Sequence, residues 1–86
     1  MSDLKAQFEQ AQKDILTLSE APSNDVKLQL YALFKQATQG DVTGERPGMM
    51  DFINRAKFDA WANQKGQTVE QAMQSYIALV NKQLGR

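Results

Sequence analysis

Apolar residues recur every three or four positions along almost the whole chain, and proline and glycine interrupt this spacing at three places. The first apolar stripe consists of Leu4, Phe8, Ala11, Ile15 and Leu18. This spacing is typical of one face of an amphipathic helix. Pro22, the glycine-rich segment 40–48 and Gly66 mark the breaks, because these residue types end helices and favour turns. The pattern predicts an all-α fold of four helices around one core.

Capping signals bound the later helices. Residues 23–25, Ser-Asn-Asp, offer N-cap oxygens to the second helix. Gly40 suits the position after its end, where a left-handed residue is common. The first helix is expected to stop at Pro22, and the third to run from about residue 49 to residue 65. Thr68 and Gln71 have the spacing of a capping box, which predicts the start of the fourth helix.

The composition excludes several classes of chemistry. The 86 residues contain no histidine and no cysteine, so the chain has no imidazole base, no thiolate nucleophile and no sulfur ligand for zinc. We therefore expect no catalytic residue and no metal site. Ten basic residues balance ten acidic ones, which argues against a nucleic-acid binder, since such proteins carry a basic excess. The length predicts a single domain over residues 1–86.

The second helix has more apolar surface than one core stripe requires. Leu28, Tyr31, Ala32 and Lys35 lie on its surplus face. Leu16 likewise lies about 100° from the main stripe of its own helix. These positions require a partner, which can be a neighbouring helix, another chain or a ligand.

The charges are unevenly distributed although their sum is zero. Residues 26–65 hold six basic and four acidic residues, together with Tyr31, Phe52, Phe58 and Trp61. Aromatic rings beside lysines suit a small molecule with a phosphate and a base, since the ring stacks on the base and the ammonium binds the phosphate. Scattered lysines and aromatic residues are also ordinary in helical proteins, so the pattern alone leaves both interpretations open.

Three segments carry more specific motifs. They are 31–38, Tyr-Ala-Leu-Phe-Lys-Gln-Ala-Thr; 40–48, Gly-Asp-Val-Thr-Gly-Glu-Arg-Pro-Gly; and 56–61, Ala-Lys-Phe-Asp-Ala-Trp. In sequence and spacing they resemble the acyl-CoA-binding protein family, and Gln71-Ala72-Met73 followed by Tyr76 resembles its last helix. The similarity covers almost the whole chain. It implies a four-helix bundle of up-down-down-up order, with a long loop between helices two and three and a shallow bowl that shields an acyl chain.

The resemblance also implies roles for the polar site residues. Tyr31 matches a tyrosine beside the adenine ring, and Lys35 matches a lysine facing the ribose 3′-phosphate. Lys57 matches a second basic residue at the CoA head group, and Tyr76 matches the tyrosine of the fourth helix that completes the site.

Apolar candidates for the same site come from the first two helices. Ala32, Leu33 and Phe34 fall within the contact segment of the family, and we expect Leu33 and Phe34 to serve mainly in the core. Leu28 lies beside Tyr31 and Lys35 and offers apolar contact. Leu16 replaces a residue that is basic in many relatives, and we expect it to line the acyl path.

Two further positions depart from the family pattern. Phe58 stands where relatives often have tryptophan, which keeps an aromatic surface without an indole N–H. Ile53 replaces a lysine common in animal members, which lowers the local positive charge. We expect ligand binding to survive these departures and that of Leu16.

The sequence therefore predicts a non-catalytic intracellular carrier that binds medium- and long-chain acyl-CoA thioesters, with acyl-CoA as its ligand and no cofactor. We expect a cytoplasmic monomer that binds no nucleic acid and does not insert stably into membranes, with transient contacts to acyl-CoA-using enzymes or membranes. One alternative is a protein-interaction module that uses the surplus apolar face of the second helix. An enzyme acting on CoA thioesters is a second alternative.

Overall fold

The chain forms a helix in each of the four segments for which the apolar spacing predicts one. The computed structural model describes residues 2–86, and the side chains of residues 3–86. Its α-helices are α1 (Ser2–Asp14), α2 (Asn24–Gln39), α3 (Phe52–Ala62) and α4 (Val69–Gln83). Residues 2–86 contain no strand. The prediction of an all-α, four-helix fold is confirmed, and so is the long connection between the second and third helices.

Two helices are shorter than the apolar pattern predicts. A 3₁₀ turn, Ile15–Thr17, follows α1, where Thr17 Oγ1 donates a 2.6 Å hydrogen bond to the carbonyl of Asp14. Leu18 is extended, with φ −61° and ψ 135°, so its predicted place on the helical stripe is wrong. The prediction that the third helix spans residues 49–65 is also too long at both ends. Tight turns occupy those ends, closed by hydrogen bonds from Asp51 N to Gly48 O and from Gln64 N to Trp61 O.

The predicted caps are present. Ser23 Oγ accepts a 3.2 Å hydrogen bond from Val26 N at the start of α2. Thr68 and Gln71 bond reciprocally at the start of α4, each at 3.0 Å. Gly40 ends α2 with φ 80°, a conformation that glycine adopts readily because it has no Cβ. These local bonds fix the boundaries of α2 and the start of α4.

The core lies where α1, α2 and α4 meet. Its most buried members are Phe8, Ala11, Leu30, Leu33, Ala37, Ala72, Tyr76 and Val80. Phe8 stands between two rings, stacked on Phe34 at 6.1 Å and edge-to-face with Tyr76 at 5.0 Å between ring centroids. α2 packs against both α3 and α4. A neighbouring helix therefore covers much of the surplus apolar face of α2, and Ala32 on that face is 0% exposed.

Side-chain contacts give the direction of each helix. α2 and α3 run parallel, because Tyr31 pairs with Lys57 and Lys35, one turn later, pairs with Trp61. α1 and α4 are parallel as well. Phe8 of α1 contacts Tyr76 of α4, and further along both helices Asp14 forms an ion pair with Arg86, which follows the end of α4. The end of α2 lies at the start of α4. This is the up-down-down-up order, in which parallel neighbours require a long crossover.

No helix within residues 2–86 combines the length and apolarity needed to cross a bilayer.

Candidate functional site

Two lysine–aromatic pairs join α2 to α3. Lys35 Nζ lies 4.8 Å from the centroid of the Trp61 ring, and Lys57 Nζ lies 5.4 Å from that of Tyr31. Each helix thus contributes one cation and one ring, and each cation faces the ring of the other helix. At these distances an ammonium is attracted by the negative face of the ring. Both lysines are half-buried, so two positive charges are held in place at one helix–helix seam.

Helical spacing explains why these side chains form two rows. Tyr31 and Lys35 are four residues apart on α2, and Lys57 and Trp61 are four apart on α3. Residues with this separation lie one above the other on the same helix face. Leu28 continues the row on α2 toward the start of the helix. The parallel direction of the two helices then aligns one row with the other.

An apolar groove continues from these pairs toward the starts of α2 and α3. Its volume is about 410 Å³, and its lining includes Lys27, Leu28, Phe52, Ile53, Ala56 and Lys57. Lys57 belongs both to the groove and to the pair with Tyr31. Phe52 and Ile53 are 73% and 72% exposed. The seam therefore has a cationic, aromatic end and an apolar end.

Hydrogen bonds from the long loop fix the cationic end of the seam. Trp61 Nε1 donates to the carbonyl of Gly40 at 2.8 Å, which orients the ring beneath Lys35. Arg46 donates two hydrogen bonds, of 2.8 and 2.6 Å, to the carboxylate of Asp59. Because the Arg46 guanidinium is paired with the Asp59 carboxylate, this arginine ties the loop to α3.

A second set of bonds ties the loop to the start of α4. Asp41 Oδ1 accepts hydrogen bonds from Gln36 Nε2 at 2.9 Å and from Gly66 N at 3.0 Å. Gln36 Nε2 also donates to the carbonyl of Gln67 at 2.9 Å. The side chain of Gln36 is fully buried, and its Oε1 has no partner among the described residues.

The same contacts set the protonation of the nearby acids. Arg46 beside Asp59 lowers the pKa of that carboxyl. The Gly66 amide and the Gln36 side chain lower the pKa of Asp41. Both groups are therefore carboxylates at neutral pH and are poorly suited to donate a proton. Burial acts in the opposite direction on Tyr76 and raises the pKa of its hydroxyl, which keeps that group neutral.

Four of the predicted site residues come together at the seam. Tyr31, Lys35 and Lys57 form its cationic end, and Leu28 lines the groove beside them. All four are half-buried, which leaves each of them a surface that a ligand can reach. Their specific contacts with a ligand stay predictions.

The other predicted residues are not part of this exposed surface. Ala32 lies on the face of α2 that α3 covers and is 0% exposed, and Leu33 belongs to the core and is 7% exposed. Phe34 and Tyr76 both pack against the ring of the core residue Phe8. Leu16 lies in the 3₁₀ turn after α1 and is 83% exposed. The roles of these residues toward a ligand also stay predictions.

Sequence reasoning left several groove residues out of the predicted site. Trp61 is 6% exposed and serves as the ring beneath Lys35. Phe52 and Ala56 line the apolar end. Their separation of four residues, repeated by Ile53 and Lys57, is the signal that could have placed them on one face.

A second hollow, of about 370 Å³, lies between α1, α2 and α4. Lys5, Glu9, Gln12 and Thr38 are among its lining residues. Glu9 sets an acid beside the cation of Lys5, and neither of the two lysine–aromatic pairs lies there. The seam between α2 and α3 therefore suits an anionic, partly apolar ligand better. Within residues 2–86, no group of acidic residues is placed to hold a metal ion.

Comparison with known proteins agrees with this architecture. The sequence model of the family described as "Acyl CoA binding protein" matches residues 5–80. "Acyl-CoA-binding protein homolog 1" of Caenorhabditis elegans is 44% identical over 79 residues, which cover 92% of this chain and 92% of the relative. A rat protein, "Enoyl-CoA delta isomerase 2", is 47% identical over 74 residues, which are 86% of this chain and 19% of that protein.

Solved structures give the same result. The crystal structure of Oryza sativa Acyl-CoA-Binding Protein 2 superposes with a TM-score of 0.90 at 43% identity, covering 95% of this chain and 91% of that one. The family match, the relatives and the shared fold all extend across the four helices, including α2 and α3, which form the seam. The chain belongs to the acyl-CoA-binding protein family.

Proposed function

We infer that this protein is a non-catalytic intracellular carrier that binds medium- and long-chain acyl-CoA thioesters for pool formation and transport. The observation that carries the proposal is the continuity of the seam. Two lysine–aromatic pairs at one end lead directly into an apolar groove at the other, and Lys57 takes part in both. An acyl-CoA has the same division, with phosphates and an adenine at one end and a hydrocarbon chain at the other.

The cationic end accounts for the CoA head group. In the proposed complex Tyr31 stacks on the adenine, Lys35 binds the ribose 3′-phosphate and Lys57 binds a second phosphate. In the free protein each ammonium rests on an aromatic ring, which holds it in place at the seam. Lysine suits this task because its ammonium is a compact charge that can turn from the ring to a phosphate.

The apolar end accounts for the acyl chain. Leu28, Ile53 and Ala56 line the groove, and each methylene removed from water there contributes about 0.8 kcal/mol. The chain carries no thiol or imidazole that could attack the thioester. The bound thioester should therefore stay intact, and incubation of the protein with acyl-CoA should release no free CoA.

Isothermal titration with palmitoyl-CoA tests the proposal. We expect Lys35→Ala to weaken binding by about 1.5–3 kcal/mol, the range for a hydrogen bond to a charged group. Lys82→Ala is a matched control, because Lys82 is exposed on α4 away from the seam. It should bind as the native protein does. Palmitoyl-dephospho-CoA, which lacks the 3′-phosphate, should bind both variants nearly equally.

Specific results would contradict the assignments. Unchanged affinity of a folded Lys35→Ala variant for palmitoyl-CoA removes Lys35 from the site. A large loss with the dephospho ligand shows that Lys35 acts on something other than the 3′-phosphate. Failure of the native protein to bind palmitoyl-CoA at all refutes the carrier function.

The interaction-module alternative is less well supported, because α3 packs against α2 on the face that such a module would use. The proposal further includes a single domain over residues 1–86, a monomer, a cytoplasmic location and transient contacts with acyl-CoA-using enzymes or membranes. Native mass spectrometry of the purified protein addresses the oligomeric state and the ligand together. The proposal expects a monomer that carries acyl-CoA adducts.

A further inference from the structure

A lysine lies at the apolar end of the groove between α2 and α3. Lys27 belongs to the groove lining together with Leu28 and Ile53. On α2, Lys27 precedes Tyr31 by one turn, and on α3, Ile53 precedes Lys57 by one turn. Because Tyr31 and Lys57 face each other, the parallel register brings Lys27 to the level of Ile53. Lys27 therefore sets a positive charge where the facing residue is aliphatic.

The Lys27 ammonium has no partner within residues 3–86. Neither of the ion pairs formed by those residues includes it, and the two cation–ring contacts belong to other lysines. Asp25 is the only acid of α2, and a separation of two residues places it on another face of the helix. The described part of the groove lining contains no acid. The groove therefore holds a cation without a counter-charge.

We propose that the groove accepts acyl-CoA thioesters whose acyl chain ends in a carboxylate, and that Lys27 binds this carboxylate. The inference deepens the proposed carrier function and rests on it. With the CoA head group at Lys35 and Lys57, the acyl chain runs toward the starts of α2 and α3 and passes Lys27. A carboxylate with only Leu28 and Ile53 beside it would lose water without compensation. The ammonium of Lys27 supplies the opposite charge.

The position of Lys27 suits the far end of the acyl chain rather than another phosphate of the head group. Lys27 and Lys35 are eight residues apart on α2, about 12 Å along the helix axis. Asn24 lies further in the same direction and also lines the groove, and its side-chain amide can donate a hydrogen bond to a carboxylate. Lys27 is exposed, so its ammonium can turn to water when the bound chain ends in a methyl group. Chains of both kinds therefore fit the groove.

Isothermal titration with two matched ligands tests the proposal. They are dodecanoyl-CoA and the CoA monothioester of dodecanedioic acid, which differ at the end of the acyl chain. Lys27→Met removes the charge and keeps an unbranched side chain. It should weaken binding of the dodecanedioic thioester by about fivefold, the upper value for an ion pair in contact with solvent, and leave dodecanoyl-CoA within about twofold of native. Lys27→Arg, which keeps the charge, should bind both ligands as the native protein does. Lys82→Met, on α4, is the control for the change in net charge.

Three outcomes would overturn the proposal. Equal weakening of both thioesters by Lys27→Met would assign Lys27 to a phosphate of the head group. Unchanged binding of both by that variant would remove Lys27 from the groove's function. The third outcome is a native protein that binds dodecanoyl-CoA but takes the dodecanedioic thioester more than about tenfold more weakly, because the groove then rejects the carboxylate. Each of these outcomes leaves the carrier function standing, whereas failure to bind either thioester refutes the carrier function and this inference with it.

Discussion

Substitutions at Tyr76 separate a role in the core from a role in the site. The ring is 6% exposed and lies edge-to-face with Phe8 at 5.0 Å. Removing a buried aromatic ring costs about 3–5 kcal/mol, and we expect Tyr76→Ala to lower the free energy of unfolding by that amount. The hydroxyl has no hydrogen-bond partner among the described residues, so Tyr76→Phe should change the free energy of unfolding by less than about 0.5 kcal/mol.

The two variants should also differ in ligand binding. If the Tyr76 hydroxyl completes the head-group site, Tyr76→Phe loses about 0.5–1.5 kcal/mol of palmitoyl-CoA affinity, the value of one neutral hydrogen bond. Urea unfolding followed by circular dichroism gives the stability, and isothermal titration gives the affinity. Unchanged affinity would remove Tyr76 from the site. A stability loss above about 2 kcal/mol in Tyr76→Phe would refute the reasoning, because it would show that the hydroxyl makes a buried bond.

Further predictions concern the core, the loop and the response to acid. Val80 is 0% exposed, so Val80→Ala should lower the free energy of unfolding in urea by about 2 kcal/mol. Trp61→Phe keeps a ring beneath Lys35 but loses the bond to Gly40, and should cost about 1 kcal/mol of stability in the same assay. The lowered pKa of Asp59 gives a stabilising contribution that is complete above about pH 4 and is lost as the pH falls through the folded-state pKa. Asp59→Asn should therefore flatten the acid limb of a plot of melting temperature against pH, and an unchanged limb would contradict the assignment.

Local signals made the helices predictable, and competing local bonds explain where the prediction was wrong. The capping box of Thr68 and Gln71 depends on residues three apart, so it can be read from the sequence. The end of α1 cannot be read in this way, because apolar residues continue on the stripe as far as Leu18. The bond from the Thr17 hydroxyl to the Asp14 carbonyl belongs to a tight turn, which the apolar spacing does not reveal.

The site was predictable one helix at a time. Helical spacing placed Tyr31 and Lys35 on one face of α2, and the family resemblance named Lys57. The pairing of Lys35 with Trp61 depends on the register of α2 against α3, which packing and the loop bonds set across distant parts of the chain. A residue such as Tyr76, on a core stripe but with a polar end, fits core and site equally well in the sequence.

Chemical-shift mapping with palmitoyl-CoA tests the central claim most directly. Backbone amide resonances of the labelled protein are recorded with and without ligand. The account predicts that the largest shifts follow the facing rows of α2 and α3, from Leu28 to Lys35 and from Ile53 to Trp61. Shifts concentrated instead around Lys5 and Glu9, at the hollow between α1, α2 and α4, would contradict it.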